Sequence, residues 1–432
     1  MTDRRTPFAL CAGYFLVLLD VTVVNVALPS LGTSLHTSAS GLAWIVDAYT
    51  TPLAALLPAS GAIGERLGHR RVVIAGFTAF GVASVLCAVA PSIFVLILGR
   101  GVQGIAAALM LPGTLALLTE SAADERARTR TVARWAAVGG AALPAGPLLG
   151  GLLVQQLGWR SVFWVNVPVI AAALIPIAAA RFLPRPVTSR RVDWLGAGLL
   201  ALLIGSVVTL ISAPSAVVAL LAVAAAVGLV HAERRSPDPL VRVEPSARRP
   251  LVRACVVAGL MNLCTLGVLF VLTQLFQDVR GLSPWTAGLL LLPAMLPLPL
   301  LGPVAGRIVT AIGVWRTASA ALAVGAAGFA LLACSVTGDD SAVLFAGLVL
   351  WGSGLGVLTP AVVTAALRSA PRSAGTASGA SNASRQLGGT IGVAAAGAIA
   401  GVPDSARFVP HATIVLIGAA VCFAVTAALV YR

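Results

Sequence analysis

The strongest constraint on this chain is its succession of long apolar runs. A helix needs about 20 residues to cross the hydrocarbon core of a bilayer, and runs near that length recur fourteen times between residues 8 and 431. With 58% hydrophobic and 10% charged residues, against roughly 45–50% apolar and 25% charged in a soluble domain, the bilayer is the solvent. The connections are short, the longest running from about His231 to Pro250. They leave no room for a soluble catalytic or nucleotide-binding domain, so the chain acts inside the membrane.

All 29 basic residues are arginine. Without lysine the chain can build neither a P-loop nor a Schiff base, so energy for transport has to come from a gradient or a partner. Placing both termini in the cytoplasm puts Arg66, Arg70, Arg71, Arg134, Arg234, Arg235, Arg307, Arg316 and Arg368 inside, and Arg160, Arg280 and Arg407 outside. That is the positive-inside distribution. The formal net charge of +14 is therefore topogenic and spread over short loops, not a nucleic-acid patch. The cysteines lie in or beside apolar runs without a CxxC pair, and the histidines lack metal-ligand spacing.

Few charges interrupt the apolar runs. Asp20 sits in YFLVLLDVTVVNVALP with no charged neighbour, and a carboxylate at mid-membrane costs roughly 2.5–3.5 kcal/mol on insertion scales. Arg100, Gln103 and Gly104 share a helix face by their i, i+3, i+4 spacing; Arg100 either points into the bundle or snorkels outward. Counting from the run ends at 1.5 Å per residue places Asp20 and Arg100 each about 12 Å from the outer face and Asp47 about 9 Å deep, so the three can meet in one layer. Trp44, Asp47 and Thr51 share a face of the second run, where Asp47 either lines a cavity or makes a structural hydrogen bond. Asn25 and Gln103 are candidates for the same cavity, or interhelical hydrogen bonds. Arg385, nearer the cytoplasmic end of its run, is explained by snorkelling or packing. Four prolines in LPAMLPLPLLGP, from Pro293 to Pro303, predict a broken helix.

The chain also repeats. Gly61, Gly68 and Arg71 follow the second run at spacings of seven and three, and Gly306, Gly313 and Arg316 follow the tenth at the same spacings. Two parallel six-span halves separated by an extra pair account for this.

At this point a resemblance becomes specific. GAIGERLGHRR (Gly61 to Arg71) resembles the loop signature of the major facilitator superfamily, GRGVQGIAAA (Gly99 to Ala108) its fourth-span signature and PAGPLLGG (Pro144 to Gly151) the fifth-span signature of its antiporters. LDVTVVNVALP, GWRSVFWVNVP, QDVRGLSPWTAG and NASRQLGGTIG are similar to motifs of its fourteen-span drug:proton antiporter family. Glu65 stands where the family usually has Asp, His69 where it has a basic residue and Ala142 where it has Gly.

The resemblance implies an all-α integral membrane protein with the major facilitator fold: a six-span bundle over residues 1–181, two extra central spans over 182–250 and a second six-span bundle over 251–432. It implies a proton-coupled antiporter in the bacterial inner membrane that exports drugs or antibiotics by alternating access, as a monomer and with no cofactor beyond the proton gradient. Its partners are then the substrate, protons and lipid, not nucleic acid. Asp20 and Arg100 are the expected proton-coupling pair, with Asp20 alternatively a structural hydrogen-bonding group. Trp44, Asp47, Asn25 and Gln103 are the expected cavity, and Gly61, Glu65, Arg66, Gly68, Arg70 and Arg71 the gating loop. Gly146, Pro147, Gly150 and Gly151 form the antiporter-type signature, and generic helix packing explains those glycines equally well. A polar-metabolite transporter on the same fold is the alternative, and a membrane-embedded enzyme or receptor a distant one.

Overall fold

The computed structural model describes residues 5–120, 125–180, 193–212, 214–236, 244–336, 340–370, 374–401, 403 and 405–431. They form an all-helical chain. Its first seven helices are α1 (Arg5–Leu35), α2 (Ala39–Leu67), α3 (His69–Ala88), α4 (Ile93–Glu120), α5 (Glu125–Leu157), the short α6 (Ser161–Trp164) and α7 (Asn166–Ala179). Next come α8 (Trp194–Ser212) and α9 (Ala216–Arg235), then α10 (Pro245–Gln274), which ends in a π-helical turn, Leu275–Val279. The remainder are α11 (Pro284–Met295), α12 (Pro297–Ile312), α13 (Val314–Val336), α14 (Ser341–Ser369), α15 (Ala374–Ala400) and α16 (Phe408–Tyr431). Among the described residues twelve helical segments are long and apolar enough to cross a membrane, or thirteen with the bent α2 counted as one span.

The chain divides into two compact units, one made of Met1–Ser30 with Trp44–Leu240 and the other of Leu31–Ala43 with Val241–Arg432. In unit 1, α8 packs on α9, and Ala197 of α8 is buried with Ala59 of α2. In unit 2, the core of α13, α14 and α16 is aromatic: the Phe329 ring lies 5.5 Å from Trp351 and 5.0 Å from Phe423. Beside it α10 and α15 meet backbone to backbone. A Cβ on Gly388 would strike the Gly259 backbone, and one on Gly392 that of Leu263. Small residues of this kind let membrane helices approach without a hydrophobic driving force between them.

The internal repeat has a conformational basis. Gly68, alone between α2 and α3, has φ +90°, and Gly313, alone between α12 and α13, has φ +87°. With extended ψ at both, 123° and 159°, only glycine is comfortable. The proline-rich segment interrupts its helical hydrogen bonding at Leu296, between α11 and α12, where Pro297 and Pro299 can donate no N–H to the preceding turn. Leu296 itself keeps helical angles, φ −61° and ψ −38°, so the expected break is one of hydrogen bonding and not a sharp bend.

Arginines tie helix ends together. Helix C-termini leave carbonyls unpaired and partly negative, and Arg70 binds two of them at the end of α7, its Nε donating to the Ile177 carbonyl at 3.4 Å and its Nη2 to that of Ala178. Arg253 does the same to the Val430 carbonyl of α16 at 2.6 Å while lying over the Trp315 ring. Arg160 donates to the Ala90 carbonyl beyond α3, and Arg280 to the Ser335 carbonyl in the last turn of α13.

These contacts separate two classes of glycine. Gly68→Ala and Gly313→Ala should each cost about 1–3 kcal/mol through forced backbone strain. Gly61→Ala and Gly306→Ala, where an added Cβ meets nothing within 4 Å, should be neutral or gain up to about 1 kcal/mol from helix propensity. Thermal unfolding in detergent, followed by tryptophan fluorescence, measures the contrast.

Candidate functional site

Asp20 lies at the centre of α1, fifteen residues from each end of the helix, or about 22 Å along its axis. Its carboxylate is buried completely, as are Arg100 and Gln103. One oxygen, Oδ2, accepts from Arg100 Nη1, and the other, Oδ1, from Asn166 Nδ2 at 3.4 Å. Burying the two charges separately would be far more costly than burying them as a neutral, hydrogen-bonded pair.

Arg100 is held on every side. Its Nε donates to the Ile45 carbonyl at 3.1 Å, its Nη1 also donates to Gln103 Oε1 at 3.0 Å, and its guanidinium carbon stands 4.4 Å from the Tyr49 ring centroid. Tyr49 is fixed in turn by its hydroxyl, which donates to the Val17 carbonyl of α1 at 3.1 Å. Gln103 Nε2 continues the network to Ser84 Oγ at 2.8 Å, and Asn166 Nδ2 reaches the same hydroxyl at 3.4 Å. Five helices of unit 1, α1, α2, α3, α4 and α7, thus converge on one ion pair.

Glycines make the convergence possible. A Cβ on Gly104 would strike the Tyr49 carbonyl oxygen, so this glycine lets α4 sit against α2 one turn from Arg100. On the other side of Asp20, α5 presses on α1: a Cβ on Gly146 would overlap the Thr22 side chain, and one on Gly150 would lie 3.1 Å from the Val23 carbonyl oxygen. Pro147 and Gly151, their neighbours in the signature, are buried as well. The fourth- and fifth-span signatures therefore hold the helices that frame the pair.

The remaining candidates sit apart from the network. Asp47 is two residues from both Ile45 and Tyr49, so it occupies another face of α2. It is completely buried, and neither carboxylate oxygen has a hydrogen-bond partner among the described residues. Trp44, three residues earlier, is half-buried. Asn25 donates to the Val21 carbonyl at 2.6 Å while its Oδ1 lies buried without a partner among the described residues. The expected gating loop reduces to one residue: Gly61, Glu65 and Arg66 lie inside α2 and Arg70 and Arg71 inside α3, with only Gly68 between them. All are exposed except the half-buried Gly61, and Arg70 is engaged at the end of α7. Sequence reasoning assigned no role to Asn166, Ser84 or Tyr49. Asn166 was the most visible of these, a lone amide in the apolar FWVNVPVIAAAL; a serine and a tyrosine inside apolar helices carry no such signal.

Asp20→Asn and Arg100→Gln should be strongly non-additive. Removing one partner leaves an uncompensated buried charge at a cost of about 3–5 kcal/mol, whereas the double variant Asp20→Asn/Arg100→Gln should recover most of that loss. A double-mutant cycle on thermal unfolding reads the coupling directly.

A family model of the Major Facilitator Superfamily matches residues 10–393. The chain is 36% identical over 409 residues to the drug efflux pump JefA of Mycobacterium tuberculosis, covering 92% of this chain and 80% of that one. It is 36% identical over 406 residues to the methylenomycin A resistance protein of Bacillus subtilis, covering 90% and 86%. With the methyl viologen resistance protein SmvA of Salmonella typhimurium it shares 31% over 394 residues, covering 88% and 79%. Among solved structures, the human organic anion transporter MFSD10 superposes with a TM-score of 0.68 at 19% identity, covering 100% of both chains. An auto-inhibited peptide transporter of the POT family gives 0.71 at 15%, covering 99% of this chain and 96% of that one; at such identities the likeness concerns the fold alone.

Proposed function

The chain belongs to the major facilitator superfamily, and from that premise we propose that it is a membrane transporter, not an enzyme, that exports drugs or antibiotics in exchange for protons. The buried pair of Asp20 and Arg100 at the midpoint of α1 is the observation that carries this reading. The functions for which its relatives are named, drug efflux and resistance to methylenomycin A or methyl viologen, support the substrate class.

Arginine stays charged across physiological pH, so a proton carried by this pair rides on the carboxylate. The partners are unequal in a way that suits the task. Arg100 keeps the Ile45 carbonyl, Gln103 and the Tyr49 ring when Asp20 lets go, whereas Asp20 has only Arg100 and Asn166 among the described residues. In the proposed cycle Asp20 takes a proton from outside and separates from Arg100. Substrate binding then favours the return of Arg100, and the proton leaves to the cytoplasm. Alternating access carries substrate outward, without a cofactor and in a single copy of the chain. One proton crossing about 100 mV supplies roughly 2.3 kcal/mol, and each pH unit adds about 1.4 kcal/mol.

Fourteen spans fit this reading. Besides the twelve apolar segments, α2 and α15 reach 29 and 27 residues, long enough to cross a bilayer despite a 61° bend in the first and the polar ASNASRQ stretch of the second. Both termini are then cytoplasmic, in the bacterial inner membrane. Two six-span bundles, residues 1–181 and 251–432, flank the central pair, although residues 181–192 and 237–243 of its connections lie outside the described ones. Asp47, with Trp44 beside it, serves as the contact for cationic substrates, while Gln103 belongs to the pair's own network.

Two variants test the reading in proteoliposomes. Asp20→Asn should abolish accumulation driven by a pH gradient, at unchanged protein insertion; normal uphill transport would remove Asp20 from coupling. Asp47→Asn should weaken ethidium export at least fivefold while sparing a neutral substrate, and equal loss of both would assign Asp47 a structural role.

A further inference from the structure

Unit 2 carries one charged side chain far from any helix end among the described residues. Arg385 stands eleven residues from the start of α15 and fifteen from its end, roughly 16 and 22 Å along the axis. The other arginines of the unit's membrane-crossing helices are elsewhere. Arg253 and Arg280 cap helix ends, and Arg248, Arg249, Arg307, Arg316 and Arg368 lie within five residues of a terminus. The described acids of the unit, Glu244, Asp278 and Asp340, stand at helix termini, and none forms an ion pair with Arg385.

Arg385 is half-buried, and one nitrogen of its guanidinium lacks an acceptor among the described residues. Arg385 Nε is buried without a hydrogen-bond partner among the described residues, and so is Ser381 Oγ, one turn earlier on the same face. Arg385 and Ser381 share the face of α15 that carries Gly388 and Gly392 and meets α10, and that packing leaves Nε and Oγ without acceptors among the described residues. Snorkelling to a membrane face does not account for it, since both helix ends are several turns away. An arginine cannot shed its charge, and a buried donor left unpaired is costly. Its planar fork matches two oxygens of one carboxylate or phosphate.

We infer that Arg385, with Ser381 beside it, binds an oxyanion: the carboxylate or phosphate oxygens of a transported molecule. The inference rests on the exporter reading and extends its substrate class. Asp47 in unit 1 suits a cationic group, whereas Arg385 in unit 2 suits an acidic one, so the protein accepts acids or zwitterions as well as cations.

The test uses purified full-length protein in proteoliposomes with an imposed pH gradient and three probes: norfloxacin, which bears a carboxylate, its methyl ester, and ethidium. Each is run with and without phosphatidylglycerol. Arg385→Gln should lower norfloxacin transport at least tenfold and leave the ester and ethidium within twofold. Arg385→Lys, which keeps the charge and loses the fork, should fall between. Ser381→Ala should weaken norfloxacin alone, which keeps the question decidable if the Gln variant folds poorly. Equal effects on acid and ester would overturn the inference, as would a wild-type protein that moves ethidium but not norfloxacin, an outcome that leaves the exporter standing. A wild-type protein that moves none of the probes sinks both readings. A defect confined to phosphatidylglycerol liposomes and identical for acid and ester would assign the site to lipid phosphate and overturn the substrate role.

Discussion

A carboxylate and a guanidinium buried together at the middle of a membrane helix impose conditions on everything around them. Neither Asp20 nor Arg100 reaches water, so each has to be neutralised by the other and by fixed dipoles. The dipoles come from separate helices: the Ile45 carbonyl of α2, the Gln103 amide of α4, the Asn166 amide of α7 and, behind them, the Ser84 hydroxyl of α3. A change in the state of this pair is felt by five helices at once, which is the property a coupling group needs.

Close approach of those helices depends on missing side chains. Gly104 admits α4 to the backbone of α2, and Gly146 and Gly150 admit α5 to α1. Unit 2 uses the same device between α10 and α15, with no ion pair beside it among the described residues. There the polar contribution is Arg385, whose Nε is buried without a partner among the described residues. The helix ends are secured differently, by Arg70 and Arg160 in unit 1 and by Arg253 and Arg280 in unit 2. Small residues set the spacing between helices, while cationic caps fix their termini.

Much of this was legible in the sequence because lipid penalises polarity so heavily. Asp20 and Arg100 announced themselves as charges in apolar runs, and depth counting alone brought them to one level. The interruption at Leu296 followed from prolines that cannot donate; of the four repeat glycines, Gly68 and Gly313 take the positive φ of a turn, whereas Gly61 and Gly306 lie inside α2 and α12. What stayed hidden was azimuth. Spacing puts Asp47 in the same layer as Arg100, but only the register of α2 against α4 shows that Ile45 and Tyr49 face the arginine while Asp47 does not. Ser84 and Tyr49 gave no signal, since such side chains are common in membrane helices for packing. Arg385 was visible as a charge, yet a sequence cannot show that its Nε is buried without an acceptor.

The central claim is that Asp20 releases a proton when substrate binds. Purified protein in weakly buffered detergent solution, mixed with ethidium in the presence of a pH-indicator dye, reports that event without transport or a membrane. Wild-type protein should release protons in step with the fraction of protein occupied. Asp20→Asn should bind ethidium with no such release. An unchanged proton yield from that variant would contradict the account and place the coupling group elsewhere.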